Sequence, residues 1–261
     1  MAANLEITDH GRIRVIAIDR PQRRNAVDGP TARALYDAFR AFDADRSSDV
    51  AILTGRGGTF CAGADLKAFA EGDGTNPLEE GGTGTLAPMG VSRLQLSKPV
   101  IAAIEGHAVA GGLELALWCD LRVVAENAVM GVFCRRFGVP LIDMGTIRLP
   151  RLIGQSRAMD LILTGRPVNA REAYDIGLAN RLARPGLALE TALELAGEIV
   201  AFPQDCLRSD RRSLLDQWGL ATDEAIANET RLGLETLGGG QSRQGAARFV
   251  AGDGRHGGFT R

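Results

Sequence analysis

The chain has 261 residues, of which 30 are basic and 32 acidic, a formal net charge of -2. That balance argues against a surface built for a polyanion, so no nucleic-acid partner is expected. No apolar run approaches the length of a membrane span, and the opening MAANLEITDH lacks the basic and apolar regions of a secretory signal.

RIRVIAID (12–19) reads as a strand. PTARALYDAFRAFDAD (30–45) reads as a helix, with Leu35, Ala38, Phe39 and Phe42 at helical spacing and Pro30 suited to the first turn. VAILTG (50–55) is apolar enough for a strand buried on both faces. Residues 71–90 hold glycines, prolines and acids without periodicity, which predicts a long, mobile loop. KPVIAAIEG (98–106) is a second buried strand, and it breaks into HAVAGGLELALWCD, a glycine turn opening an apolar helix. LRVVAE (121–126) and AVMGVF (128–133) read as further strands. Strands alternating with helices predict a mixed, largely parallel α/β core.

Helical character takes over after about residue 155. SRAMDLILTG reads as a helix stopped by Gly165. NAREAYDIG opens with Asn169 and Glu172 in capping-box spacing and closes on Gly177. LALETALELAGEIVAF (187–202) places Leu189, Leu193, Ala196 and Val200 on one stripe, and further helices are expected near 204–218 and 222–237. The expected organisation is an α/β core over residues 1–200 and a helical region over 201–261, whose apolar faces pack on the core or a neighbouring subunit. Cys61, Cys119, Cys134 and Cys206 form no CxxC pair, which predicts free thiols in a reducing compartment and a cytoplasmic protein.

Two turns carry the chemistry. CAGAD (61–65) and VAGGLE (109–114) each sit where a strand feeds a helix. N–H groups at a helix start are unpaired and carry partial positive charge. Two such turns on neighbouring strands could aim two N–H groups at one oxygen, an oxyanion hole; taken singly, each is also what an ordinary tight turn looks like. Glu114, amid LELALW, is either a helix cap or a tuned acid/base. His107 reads as structural, while His10 and His256 lie near the termini. There is no GxSxG, no Walker loop and no metal-ligand spacing.

FCAGADLK, KPVIAAIEGHAVAGGLELALWCD and GTIRLPRLIG occur in an order and at separations that resemble the crotonase (enoyl-CoA hydratase/isomerase) superfamily, from about Ile13 to the C-terminus. The resemblance implies an α/β spiral of βαβ turns with a C-terminal helical trimerisation region. It implies an acyl-CoA thioester as substrate and a homotrimer or dimer of trimers as assembly, with CoA as part of the substrate and no separate cofactor or metal. It makes Ala64 and Gly111 the N–H donors to the thioester oxygen. Glu114 becomes the acid/base, nominally adding water across a 2,3-enoyl double bond. Ala62, Asp65, Leu66 and Lys67 would line the CoA channel, with Lys67 near the phosphates. Arg24 and Ala26, in RRNA, would touch the nucleotide end, and Phe249, in QGAARF, would cover the adenine.

One departure stands out. Family hydratases carry a second glutamate twenty residues after the first, and that position is Cys134 here (134 − 114 = 20). A thiol with an ordinary pKa of about 8.5 is a poor substitute unless a neighbour such as Arg135 or Arg136 lowers it. Asp143, in VPLIDMGT, is the other candidate partner. The departure leaves open isomerisation or thioester hydrolysis by Glu114 with Asp143, and also a non-catalytic acyl-CoA-binding subunit.

Overall fold

The computed structural model describes residues 4–72 and 74–254. Its first strands are β1 (Leu5–His10), β2 (Ile13–Ile18), β3 (Val50–Gly55) and β4 (Val100–Ile104), followed by the short β5 (His107–Val109). Next come β6 (Leu121–Ala125), β7 (Val129–Gly131), β8 (Val168–Asn169) and β9 (Arg181–Ala183). Six of them form one sheet in the order β1-β2-β3-β4-β6-β9, and β5-β7-β8 form a second. In the large sheet only the β1–β2 pair is antiparallel. The parallel interior demands strands buried on both faces, which the apolar β3 and β4 supply.

β5 corrects the sequence reading. His107, Ala108 and Val109 are not part of the glycine turn but a strand that pairs with β7. Gly106, at φ 57, turns the chain out of the first sheet and into the second. β1 was not anticipated at all, and its outer residues are largely exposed.

Helices α1 (Gly29–Ala44) and α2 (Leu66–Glu71) precede α3 (Gly111–Trp118). Asp28 caps α1 by accepting from Thr31 N at 2.9 Å. Phe39 of α1 is fully buried and meets the Trp118 ring edge-on at 4.8 Å, which ties α1 to the end of α3. The same end is held by Arg122, 1% exposed, which donates to Cys119 O at 2.8 Å and to Leu178 O at 2.7 Å. A buried guanidinium satisfying carbonyls at a helix C-terminus both fills orphan acceptors and suits the helix dipole.

α4 (Gly145–Ile153), α5 (Gln155–Thr164) and α6 (Ala170–Asp175) follow. Gly165 stops α5 in the left-handed conformation, and Asn169 caps α6 by accepting from Glu172 N at 2.8 Å, as their spacing predicts.

The chain divides into two compact units, Met1–Ala196 and Gly197–Arg261, and the division falls inside α7 (Ala188–Val200). The fully buried stripe of α7 runs through Ala188, Ala192 and Ala196, while Leu189 and Leu193 are only half-buried. The second unit holds α8 (Gln204–Asp216), α9 (Thr222–Gly238) and α10 (Gln241–Ala251). Among its described residues Leu232 is the one buried large hydrophobe, while Leu234, Leu237 and Trp218 are exposed. No helix among the described residues is long and apolar enough to cross a membrane.

Candidate active site

The segment Cys61–Ala64 is laid between two others. Cys61 N donates to His107 O at 2.9 Å and Val109 N to Cys61 O at 3.1 Å. Ala64 forms a parallel bridge with Val27. This packing accounts for the small residues. A Cβ on Gly112 would lie 2.1 Å from Cys61 O. One on Gly63, whose φ is +100, would lie 2.9 Å from Ala110 Cβ and 3.0 Å from Gly111 N. The two glycine turns touch, and a side chain at either place would force them apart.

Ala110 precedes α3 at φ 54, ψ −127, a costly conformation for a residue with a Cβ. It sets the direction of the Gly111 N–H. Among the described residues, neither the Ala64 nor the Gly111 N–H has a hydrogen-bond acceptor. Both residues line one cavity of about 370 Å³.

Glu114 and Asp143 face the same cavity, 3% and 2% exposed. Glu114 is not a cap of its own helix. Its Oε1 accepts from Asp143 N at 2.9 Å and from Gly145 N at 2.8 Å, which fastens the start of α4 to α3. Asp143 repeats the pattern: Oδ1 accepts from Met89 N at 2.9 Å and from the Ser92 hydroxyl. Among the described residues nothing donates to Glu114 Oε2 or Asp143 Oδ2. Each carboxyl thus has one oxygen anchored by two donors and one left unbonded.

Burial is the largest cause of the Glu114 shift, and with the nearby Asp143 charge it pushes the carboxyl up to about 8 against the two N–H bonds. Burial also raises Asp143, opposed by Ser92 and Met89. Arg148 donates to Ser92 O at 2.7 Å and to Asp143 O at 3.4 Å, and burial pulls its guanidinium down to about 10.

Cys134 lies in a 3-10 turn (Phe133–Phe137), 6% exposed, on the cavity wall. Neither following arginine lowers its pKa overall. Burial and the Glu114 charge raise the thiol, and the opposing effect of Arg135 is smaller. Arg135 Nε bonds Ile162 O, and Arg136 stacks on the Phe133 ring at 3.9 Å.

Ala62 and Leu66 line the cavity as well. Ala62 N donates to Arg24 O at 3.1 Å, so the exposed turn at Arg24 lies beside the first glycine segment. Ala26 is buried and its carbonyl accepts from Arg20. Asp65 is a correction too. Its carboxylate caps α2, accepting from Lys67 N and Ala68 N at 3.2 Å, and pairs with Arg20 at 3.1 Å. It is 6% exposed, so the side chain serves the fold and is not presented to a ligand. Lys67 is exposed, 3.7 Å from Glu71. Phe249 sits on α10 in the second unit, 58% exposed. His256 lies outside the described residues.

Sequence reasoning missed Asn76, Met89, Ser92 and Arg148, three of them in the aperiodic stretch between α2 and β4. Nothing in their spacing marks them, because all their hydrogen-bond partners named here except Asp143 O for Arg148 lie 12 to 56 residues away. Among the described residues no three His, Cys, Asp or Glu side chains are grouped to hold a metal.

Two free N–H groups, one just before α2 and one at the start of α3, share a cavity with a buried carboxyl. The crystal structure of enoyl-CoA hydratase EchA1 from Mycobacterium marinum is similar with a TM-score of 0.88 and 36% identity, over 95% of this chain and 96% of that one. The chain belongs to the enoyl-CoA hydratase/isomerase family, whose sequence profile matches residues 8–253. Enoyl-CoA hydratase EchA19 of Mycobacterium tuberculosis is 33% identical over 244 residues, covering 92% of this chain and 91% of that protein. Carnitinyl-CoA dehydratase of Proteus mirabilis is 39% identical over 201 residues, 76% of this chain and 75% of that protein.

Proposed function

We propose that this protein is a hydro-lyase of enoyl-CoA hydratase type. The observation that carries the reading is the pair of acceptor-free N–H groups, Ala64 and Gly111, in one cavity with the buried carboxyl of Glu114. The two donors receive the thioester oxygen. Ionised Glu114 takes a proton from water through Oε2 while the water oxygen bonds to C3. The C2=C3 electron pair moves toward the thioester, and the enolate oxygen gains charge between the donors, where each N–H is worth about 10²–10³ in rate. The enolate then takes that proton back from Glu114 at C2, which returns the carboxylate to its ionised form and completes the addition of one water. The names of the relatives support the same class.

A second reading has its own support. Asp143 brings a second carboxyl to the cavity, with Oδ2 unbonded. Glu114 and Asp143 could remove a proton at one carbon and return one at another, which is double-bond isomerisation. Hydration and isomerisation are separated by liquid chromatography with mass spectrometry of the products from crotonyl-CoA and from a 3-enoyl-CoA, the mass reporting added water and the retention time resolving the isomers of equal mass. A gain of one water from crotonyl-CoA supports the hydratase. An isomerised 3-enoyl-CoA without hydration moves the assignment to the second reading. Tight binding of both esters without any product defeats both readings and leaves a binding subunit.

The proposed assembly is a homotrimer or dimer of trimers. It is supported by the exposed Leu234, Leu237 and Trp218 of the helical unit, and light scattering showing a monomer at micromolar concentration would refute it. A cytoplasmic location belongs to the same reading, supported by four free cysteines.

A further inference from the structure

Asn76 is 8% exposed and lines the cavity. Its Nδ2 donates to Val27 O at 3.0 Å and to Pro88 O at 2.8 Å. Two carbonyl partners fix which end of the amide is the NH₂ group, and so fix the other end as an acceptor. Among the described residues nothing donates to its Oδ1. That oxygen is also not among the side-chain atoms sealed without a partner. The walls nearby, such as Leu66, Phe69, Leu78 and Met89, offer no side-chain donor.

The two anchors place this acceptor. Val27 bridges to Ala64, and Pro88 precedes Met89, whose sulfur would lie 2.7 Å from a Cβ on Gly111. The Asn76 amide therefore ties Val27 to Pro88, each of which lies beside one of the two segments that hold the free N–H donors. A mostly apolar cavity with one fixed acceptor discriminates ligands by whether they bring a donor to it.

We propose that Asn76 is a specificity residue whose side-chain carbonyl accepts a hydrogen bond from an O–H or N–H donor on the bound CoA ester, close to the thioester. This rests on the reading of the cavity as an acyl-CoA site. Two parts of such a ligand carry the chemistry: a hydroxyl on the acyl chain, or the amide N–H of the pantetheine arm.

The test measures kcat/KM on the full chain for matched ligands. One arm uses 2-enoyl-CoA esters in pairs that differ by a hydroxyl in place of a hydrogen at successive carbons from C4 outward. The other compares 2-enoyl thioesters of N-acetylcysteamine with those of an alkanethiol of equal length. The wild type is expected to prefer the donor-bearing member of at least one pair by about tenfold; the arm that shows it names the source. In Asn76→Ala the preference collapses to near one.

An asparagine that only anchors the loop would lower both members of each pair equally, with no change of ratio between wild type and variant, and that overturns the proposal. So does a wild-type ratio near one in every pair. If no CoA ester is bound or turned over, the acyl-CoA reading itself fails and this inference falls with it, a result unlike either of the others.

Discussion

Replacing Glu114 with glutamine tests the site through both rate and stability. Glutamine keeps an oxygen to accept from Asp143 N and Gly145 N, now held at 2.9 and 2.8 Å, and deletes only the ionisable group. The carboxyl is raised from 4.5 to about 8 in the folded protein, chiefly by burial. A raised folded value means that between these two limits the native state holds a proton that the unfolded chain has released. Stability is then full below about pH 4.5 and is lost as pH rises through about 8. At about 1.4 kcal/mol for each tenfold change in proton affinity, the loss is about 3–5 kcal/mol. Urea denaturation should therefore find Glu114→Gln close to wild type at acid pH and more stable by about that amount above pH 8. In the proposed hydration the variant loses about 10²–10⁴ in rate. The wild-type kcat/KM should rise with pH through a midpoint near 8 and level off about one unit above it, because about a tenth of Glu114 is ionised at neutrality. A variant no more stable than wild type at high pH, or a rate that levels off near pH 5, would refute the argument.

Asp143→Asn removes the charge facing Glu114, so the rising limb of kcat/KM should move to lower pH; an unmoved limb would mean the two carboxyls do not interact. Gly63→Ala should cut kcat/KM by about 10–10³ with the circular dichroism spectrum preserved, because its Cβ would sit 2.9 Å from Ala110 Cβ and spread the two donors; full activity would show that the turns can part freely. Cys134→Ala should leave kcat/KM close to wild type, since burial keeps the thiol protonated, and a loss as large as that of Glu114→Gln would return the sulfur to acid–base chemistry.

Elements whose side chains meet one uniform environment were legible in the sequence. β3 was, because Val50 to Leu53 are buried on both faces and nothing in the run is polar enough to mislead. So was α6, whose cap and stop are local: Asn169 reaches three residues ahead and Gly177 takes φ +81. β1 was not, because its outer half is exposed and its alternation is too short to be distinguished from a polar leader. β5 was hidden by the glycines after it, and α4 by Pro150, which sits inside the helix. The C-terminal α10, with glycine and alanine at its centre, has no fully buried residue to impose a period.

The site divides along the same line, between what depends on neighbours in sequence and what depends on neighbours in space. The glycine turns could be read because close approach of backbone restricts residue type at the place where it happens. The state of Glu114 could not, since it is decided by burial in the folded cavity and by the charge of Asp143, 29 residues away (143 − 114 = 29), and without them cap and acid are equal readings of one letter. The same holds for Cys134. Sequence spacing asked what Cys134 does where the family resemblance leads one to expect a carboxylate, and burial with the Glu114 charge holds the thiol above its ordinary value. In the proposed reaction a second acid, if one acts, comes from Asp143, nine residues further on (143 − 134 = 9). There its own N–H holds Glu114 and its carboxyl holds the Met89–Ser92 segment. Such an acid cannot be moved without moving the base it works with. Double-mutant kinetics should accordingly find Asp143→Asn and Glu114→Gln strongly non-additive, the second change costing little once the first is made. Fully additive losses would show two carboxyls acting apart.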